Sequence, residues 1–186
     1  MNLPNKITVL RILLVPVLMV LLLVPEIDYR FFFALFVFVI AAGTDHLDGK
    51  IARKLDLVTD FGKFLDPLAD KMLVMSAFIC LVDLKLVSAV PVVIILLREF
   101  LVTSLRLVAM SSGQVIAANI FGKAKTVSQI VAITVILLSQ CAVQAGFTPF
   151  FNGLDLINNF VVWVAVGFTV LSGFIYIKEN FNVIKN

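Results

Sequence analysis

DHLDGKIARKLDLVTDFGKFLDPLAD, residues 45–70, sets five candidate ligand-facing aspartates between two long apolar runs: Asp45, Asp48, Asp60, Asp66 and Asp70. An ionised carboxylate is very costly in hydrocarbon, so charges at membrane depth are rare and usually functional. Read as helix, Asp45 and Asp48 form an i, i+3 pair. Asp66 and Asp70 form an i, i+4 pair, with Gly62 one turn further back. Each pair therefore shares one helical face. Two such faces turned toward each other make a four-carboxylate cluster. Left unneutralised, that cluster repels itself, and hard divalent cations, which take oxygen ligands, are its natural partners.

Outward from this stretch the chain is strongly apolar. Its 186 residues are 61% hydrophobic, against roughly 45–50% in a soluble domain, and the mean hydropathy is +1.10. The length suits one domain, 1–186. The net charge is only +3 and the basic residues form no long run, which argues against nucleic acid as a partner. Cys80 and Cys141 lie in apolar segments without ligand spacing and read as small buried hydrophobes.

Six apolar segments follow in order. The first opens with NLPNKITVLR and runs to Val24, where Pro4 and Asn5 suit a helix start. Arg11 interrupts it and no small-residue cleavage pattern precedes Pro25, so it reads as a retained helix rather than a signal peptide. The second starts near Phe31 and carries Asp45 and Asp48. A polar connection at 54–61 leads to the third, from Gly62 to Val82. The fourth covers 87–110, and a loop ending in GKAKT (122–126) precedes the fifth at 127–144. The sixth covers 156–177. Each is roughly 20 residues, the length that crosses a bilayer. Lys6, Lys50, Arg53, Lys54, Lys63, Lys123, Lys125, Lys178 and Lys185 fall on one side and Arg30 and Lys85 on the other. This bias places both termini and the aspartates at the cytoplasmic face. The fold class expected is an all-α integral membrane protein, with six transmembrane helices around a cytoplasm-facing polar cavity.

Asp45-x-x-Asp48-Gly49-x-x-Ala52-Arg53, then eight residues, then Gly62-x-x-x-Asp66-x-x-x-Asp70, resembles the signature of the CDP-alcohol phosphotransferases. Eight residue types at fixed spacing make the match far more specific than a lone glycine motif. The resemblance implies Mg²⁺ or Mn²⁺, two ions, held by Asp45, Asp48, Asp66 and Asp70. It also implies a cytidine nucleotide held by Asp48, Gly49, Ala52, Arg53, Gly62 and Asp66. Small residues let a nucleotide approach the backbone, although Gly49 and Ala52 also suit tight helix packing. Arg53 reads either as a phosphate partner or as a snorkelling cytoplasmic arginine. The family assigns the proton acceptor to the fourth aspartate, here Asp70, which stands as base, metal ligand or both. His46 and Asp60 read as structural and solvated.

A second, basic constellation lies downstream. Arg98 and Arg106, at i and i+8, share roughly one face of the fourth segment, and Lys123 and Lys125 mark the entry of the fifth. Arg98 reads as paired with Glu99 or as facing the cavity, and the two lysines also fit simple positive-inside topology. Together the four suit a cradle for an anionic acceptor. REFLVTSLR (98–106), GKAKTVSQ (122–129) and NLPNKITVLR resemble one bacterial branch of the same family, extending the resemblance over most of the chain. That branch implies CDP-diacylglycerol as lipid donor and sn-glycerol 3-phosphate as acceptor. Thr8 and Arg11, at i, i+3, would then join the acceptor site, with Lys63 beside them. Family members with other acceptors, inositol phosphate, serine or phosphatidylglycerol, are the rivals within the class. A divalent-cation transporter is the rival outside it, but deep arginines repel cations. A non-catalytic scaffold leaves the aspartates unexplained. Gly167 and Gly173 are a candidate face for close helix packing or a homodimer.

Overall fold

The computed structural model describes residues 3–54, 60–111, 120–147 and 153–180, with side-chain surroundings at 5–44, 68–109, 120–147 and 153–180. Among these residues the chain forms six helices: α1 (Leu3–Leu23), α2 (Arg30–Lys54), α3 (Asp60–Asp83), α4 (Ala89–Ser111), α5 (Ile120–Gln144) and α6 (Leu154–Glu179). Three stretches, Asn5–Leu23, Ile120–Gln144 and Leu154–Glu179, are long and apolar enough to cross a membrane. The apolar part of α2 described, Arg30–Thr44, is shorter, and α4 carries Arg98, Glu99 and Arg106 along its length.

The helices divide between two compact units. One holds Met1–Leu86 with Ile133–Leu154, the other Val87–Ala132 with Asp155–Asn186. In the first, α1, α2 and α3 pack pairwise. The buried stripe of α1 is Thr8, Arg11, Val15, Leu18 and Leu22, and that of α2 is Phe31, Ala34, Phe38 and Ala41. Both alternate steps of three and four, the spacing that keeps one seam facing a neighbour. Alternating phenylalanine with alanine on α2 lets backbones approach where rings leave room. The opposite faces expose Leu10, Leu13, Val17, Val20, Phe32, Phe36 and Val39. Polar Asn5, Thr8 and Arg11 point inward while leucines and valines point outward. This reverses the pattern of a water-soluble helix and suits a hydrocarbon solvent.

In the second unit, contacts fix the relative direction of three helices. Arg98 of α4 reaches Ser172 of α6, and Arg106 lies over the ring of Tyr176, so α4 and α6 run the same way. Lys125 of α5 meets Glu99, while Gln129, one turn later, meets Thr169, one turn before Ser172. Helix α5 therefore runs opposite to both.

Local chemistry ends the helices. After α3, Leu86 N–H donates to Leu81 O and Lys85 N–H to Val82 O, with Lys85 in the left-handed region at φ 60°. After α5, Phe147 N–H donates to Ala142 O and Gly146 N–H to Val143 O, with Gly146 at φ 86°. Both are Schellman caps, which satisfy the last carbonyls by turning one residue left-handed. Between α1 and α2, Arg30 donates to Leu22 O at 3.2 Å and lies over the Phe31 ring.

Several boundaries differ from the sequence reading. GKAKT, expected as loop, lies inside α5, which begins at Ile120. Burial of Lys125 against Glu99 outweighs the loop character of a Gly-Lys pair. Helix α2 continues past Asp48 to Lys54 and α3 starts at Asp60, so both helices reach into the stretch 54–61 read as a polar connection.

Candidate active site

The aspartates stand on two helices that pack together. Helix α2 is continuous through Asp45 and Asp48, and α3 through Asp66 and Asp70. A five-residue connection, 55–59, joins the helix ends that bear them, so both pairs lie at the same end of the α2–α3 pair. The helical periodicity inferred for each pair therefore holds in the backbone. The side chains of Asp45, His46, Asp48, Gly49, Ala52, Arg53, Asp60, Gly62, Lys63 and Asp66 lie outside the described residues. Asp70 is described. It is half-buried and follows the fully buried Ala69.

In the same unit, Thr8 and Arg11 are almost fully buried, at 0% and 1% exposure. The i, i+3 spacing puts both on the inward stripe of α1, beside Asn5. A guanidinium this deep is tolerated only where polar partners receive it.

The second unit carries a polar interior of its own. Glu99 accepts from both Arg98 and Lys125 on the same oxygen, Oε1, at 3.3 Å from Arg98 Nη1. Arg98 Nη2 donates to Ser172 Oγ at 2.9 Å, so Glu99 and Ser172 grip the guanidinium at its two terminal nitrogens. Glu99 and Lys125 are buried, and Arg98 is nearly so. Gly173 makes room for this arginine. A methyl group at Gly173 would sit 3.1 Å from Arg98 Cγ, tighter than normal carbon contact. Arg106 stays exposed, with its guanidinium 5.9 Å from the Tyr176 ring centre. Lys123 is exposed on α5.

Of the two readings of Arg98, the structure gives the pairing with Glu99, within a group that also holds Lys125. Lys125 lies in that group and Lys123 lies outside it. The sequence reading did not name Gln129, Thr169, Ser172 or Tyr176. Their signal was present: Asn158, Thr169, Ser172 and Tyr176 recur at steps of 11, 3 and 4 in an otherwise apolar helix, all on one face. All four are buried, while Phe160, Trp163, Phe168 and Phe174 are exposed. Gly167 is exposed and Gly173 buried, so the two glycines do not share a packing face. Both cysteines are free.

An all-helical chain with paired aspartates at one end of a helical pair, and buried cations elsewhere in an apolar interior, has the parts of a membrane enzyme acting on phosphates. The chain belongs to the CDP-alcohol phosphatidyltransferase family, whose model matches residues 1–171. Among relatives, a Bacillus subtilis protein is 46% identical over 99% of this chain and 97% of its own length. A Rickettsia bellii protein is 37% identical over 95% and 94%, and one from Pseudomonas fluorescens 34% identical over 100% and 93%. All three carry the name CDP-diacylglycerol–glycerol-3-phosphate 3-phosphatidyltransferase.

Proposed function

We propose that this chain, acting as one domain in the bacterial cytoplasmic membrane, transfers a phosphatidyl group from CDP-diacylglycerol to sn-glycerol 3-phosphate. The products are phosphatidylglycerolphosphate and CMP. The nearly full-length likeness to relatives bearing that name supports the reaction. The observation that carries the acceptor is the buried group of Arg98 and Lys125 around Glu99, whose net positive charge in an apolar interior suits a phosphate-bearing alcohol. The same charge opposes a cation path.

The glycerol hydroxyl attacks the phosphorus of the diacylglycerol phosphate, the bond from that phosphorus to the bridging oxygen breaks, and CMP leaves with that oxygen. Asp70 takes the hydroxyl proton. Asp48, Gly49, Ala52, Arg53, Gly62 and Asp66 hold the cytidine nucleotide. Thr8, Arg11 and Lys63 in the first unit, and Arg98, Arg106, Lys123 and Lys125 in the second, are each candidates to receive the acceptor phosphate. The hard-oxygen donor set of Asp45, Asp48, Asp66 and Asp70, two pairs on adjacent helices, fits Mg²⁺ or Mn²⁺. When bound, the ions supply charge neutralisation on the diphosphate.

The lysine and arginine bias supports a reading of six spans with the termini and active site on the cytoplasmic side, and the alternating directions of α4, α5 and α6 agree with it. The lipid donor then enters from the inner leaflet. Gly167, which remains exposed, is the candidate contact for a homodimer. The test supplies purified protein with CDP-diacylglycerol, Mg²⁺ and a panel of alcohols, and follows CMP release. Glycerol 3-phosphate should support it, with serine, inositol phosphate and phosphatidylglycerol at background. Release with one of these instead refutes the acceptor, and release with none refutes the reaction.

A further inference from the structure

We infer that Glu99 is a positioning residue for acceptor recognition: one buried carboxylate that gathers Arg98 and Lys125 to a single point and aims both at the phosphate of the incoming alcohol. This deepens the proposed function and rests on it. Three observations converge. Glu99 is 7% and Lys125 8% exposed, so neither charge is solvated, and burying either alone would be prohibitive. Both cations donate to the same oxygen, Oε1, rather than to separate ones. The three groups come from α4 and α5, and Arg98 is fixed to α6 through Ser172, so Glu99 sits where three helices meet.

Charge accounting explains why one anion stands between two cations. Arg98 and Lys125 alone would repel at short range in a low dielectric. With Glu99 the trio keeps a net charge of +1. That suffices to attract a phosphate, yet the empty site remains tolerable. Arg98 uses one N–H of each terminal nitrogen on Glu99 and Ser172, leaving one on each for a ligand. A planar guanidinium held at both ends loses little freedom when it binds. The side-chain contacts of Glu99 run to the two cations, so its effect should reach the acceptor alone.

The experiment compares the full-length enzyme with Glu99→Gln, Glu99→Asp, Lys125→Met and the Glu99→Gln/Lys125→Met double variant, all in detergent with CDP-diacylglycerol and Mg²⁺. Glu99→Gln should raise the acceptor KM about tenfold or more while the donor KM stays within about twofold. Glu99→Asp, which keeps the charge, should fall between Glu99→Gln and wild type. The double variant should lose less acceptor affinity than the sum of the two single losses, because part of the effect of Glu99 runs through the lysine. The double variant also removes both charges of one pair, so it serves if the single variant fails to fold. Equal rises in both KM values, an unchanged acceptor KM in Glu99→Gln, or additive losses in the double variant would each overturn the inference. Calorimetric binding of inorganic phosphate to wild type and Glu99→Gln separates this from the choice of acceptor. Weaker phosphate binding by the variant sustains the positioning role even if glycerol 3-phosphate releases no CMP. Equal phosphate binding refutes it.

Discussion

At the scale of residues, burial separates side chains that look alike in sequence. Lys123 and Lys125 are two positions apart, yet one is exposed and the other sits against Glu99. Lys125→Met should therefore raise the acceptor KM about tenfold, near 1.4 kcal/mol, whereas Lys123→Met should stay within about threefold. Steady-state kinetics with glycerol 3-phosphate varied checks both. Gly173→Ala tests the approach of Arg98 to α6. The added methyl must displace Cγ by a few tenths of an ångström, and about a threefold rise in acceptor KM should follow, with donor KM unchanged. The aspartates and arginines stood out in the sequence, because an apolar run tolerates a charge only where a partner or ligand meets it. Arg98 stayed between pairing and binding at that level, since partner identity is a matter of distance.

At the scale of elements, the length of the apolar runs made all six helices legible, and their ends were less so. GKAKT read as loop because glycine and lysines punctuate chains, but the tertiary partner of Lys125 keeps it helical. The Schellman cap at Gly146 gives a clean test, because nothing lies within 4 Å of a methyl placed there. Gly146→Ala should lower stability by about 1 kcal/mol through the left-handed backbone alone. Gly167→Ala, equally free of contacts but inside a helix, should be neutral or gain up to about 1 kcal/mol. Thermal unfolding of the two variants in the same detergent compares them directly.

At the scale of the whole molecule, both units share one rule, polar residues inward and apolar residues outward. Leu13 is 60% exposed near the middle of α1. Leu13→Arg should cost about 3 kcal/mol of insertion free energy, while Leu13→Phe should cost little. The fraction of each variant recovered in membranes measures this.

Composition and spacing by themselves determined that this chain is helical, membrane-seeking and built around paired aspartates, because hydrocarbon penalises any unneeded charge whatever surrounds it. Only the tertiary structure decided which cations are buried, that Arg98 and Lys125 share one oxygen of Glu99, and that Ser172 and Gly173 receive the arginine. Glu99 and Lys125 are 26 positions apart and Arg98 and Ser172 are 74 apart, and local periodicity carries no information about which helix faces meet.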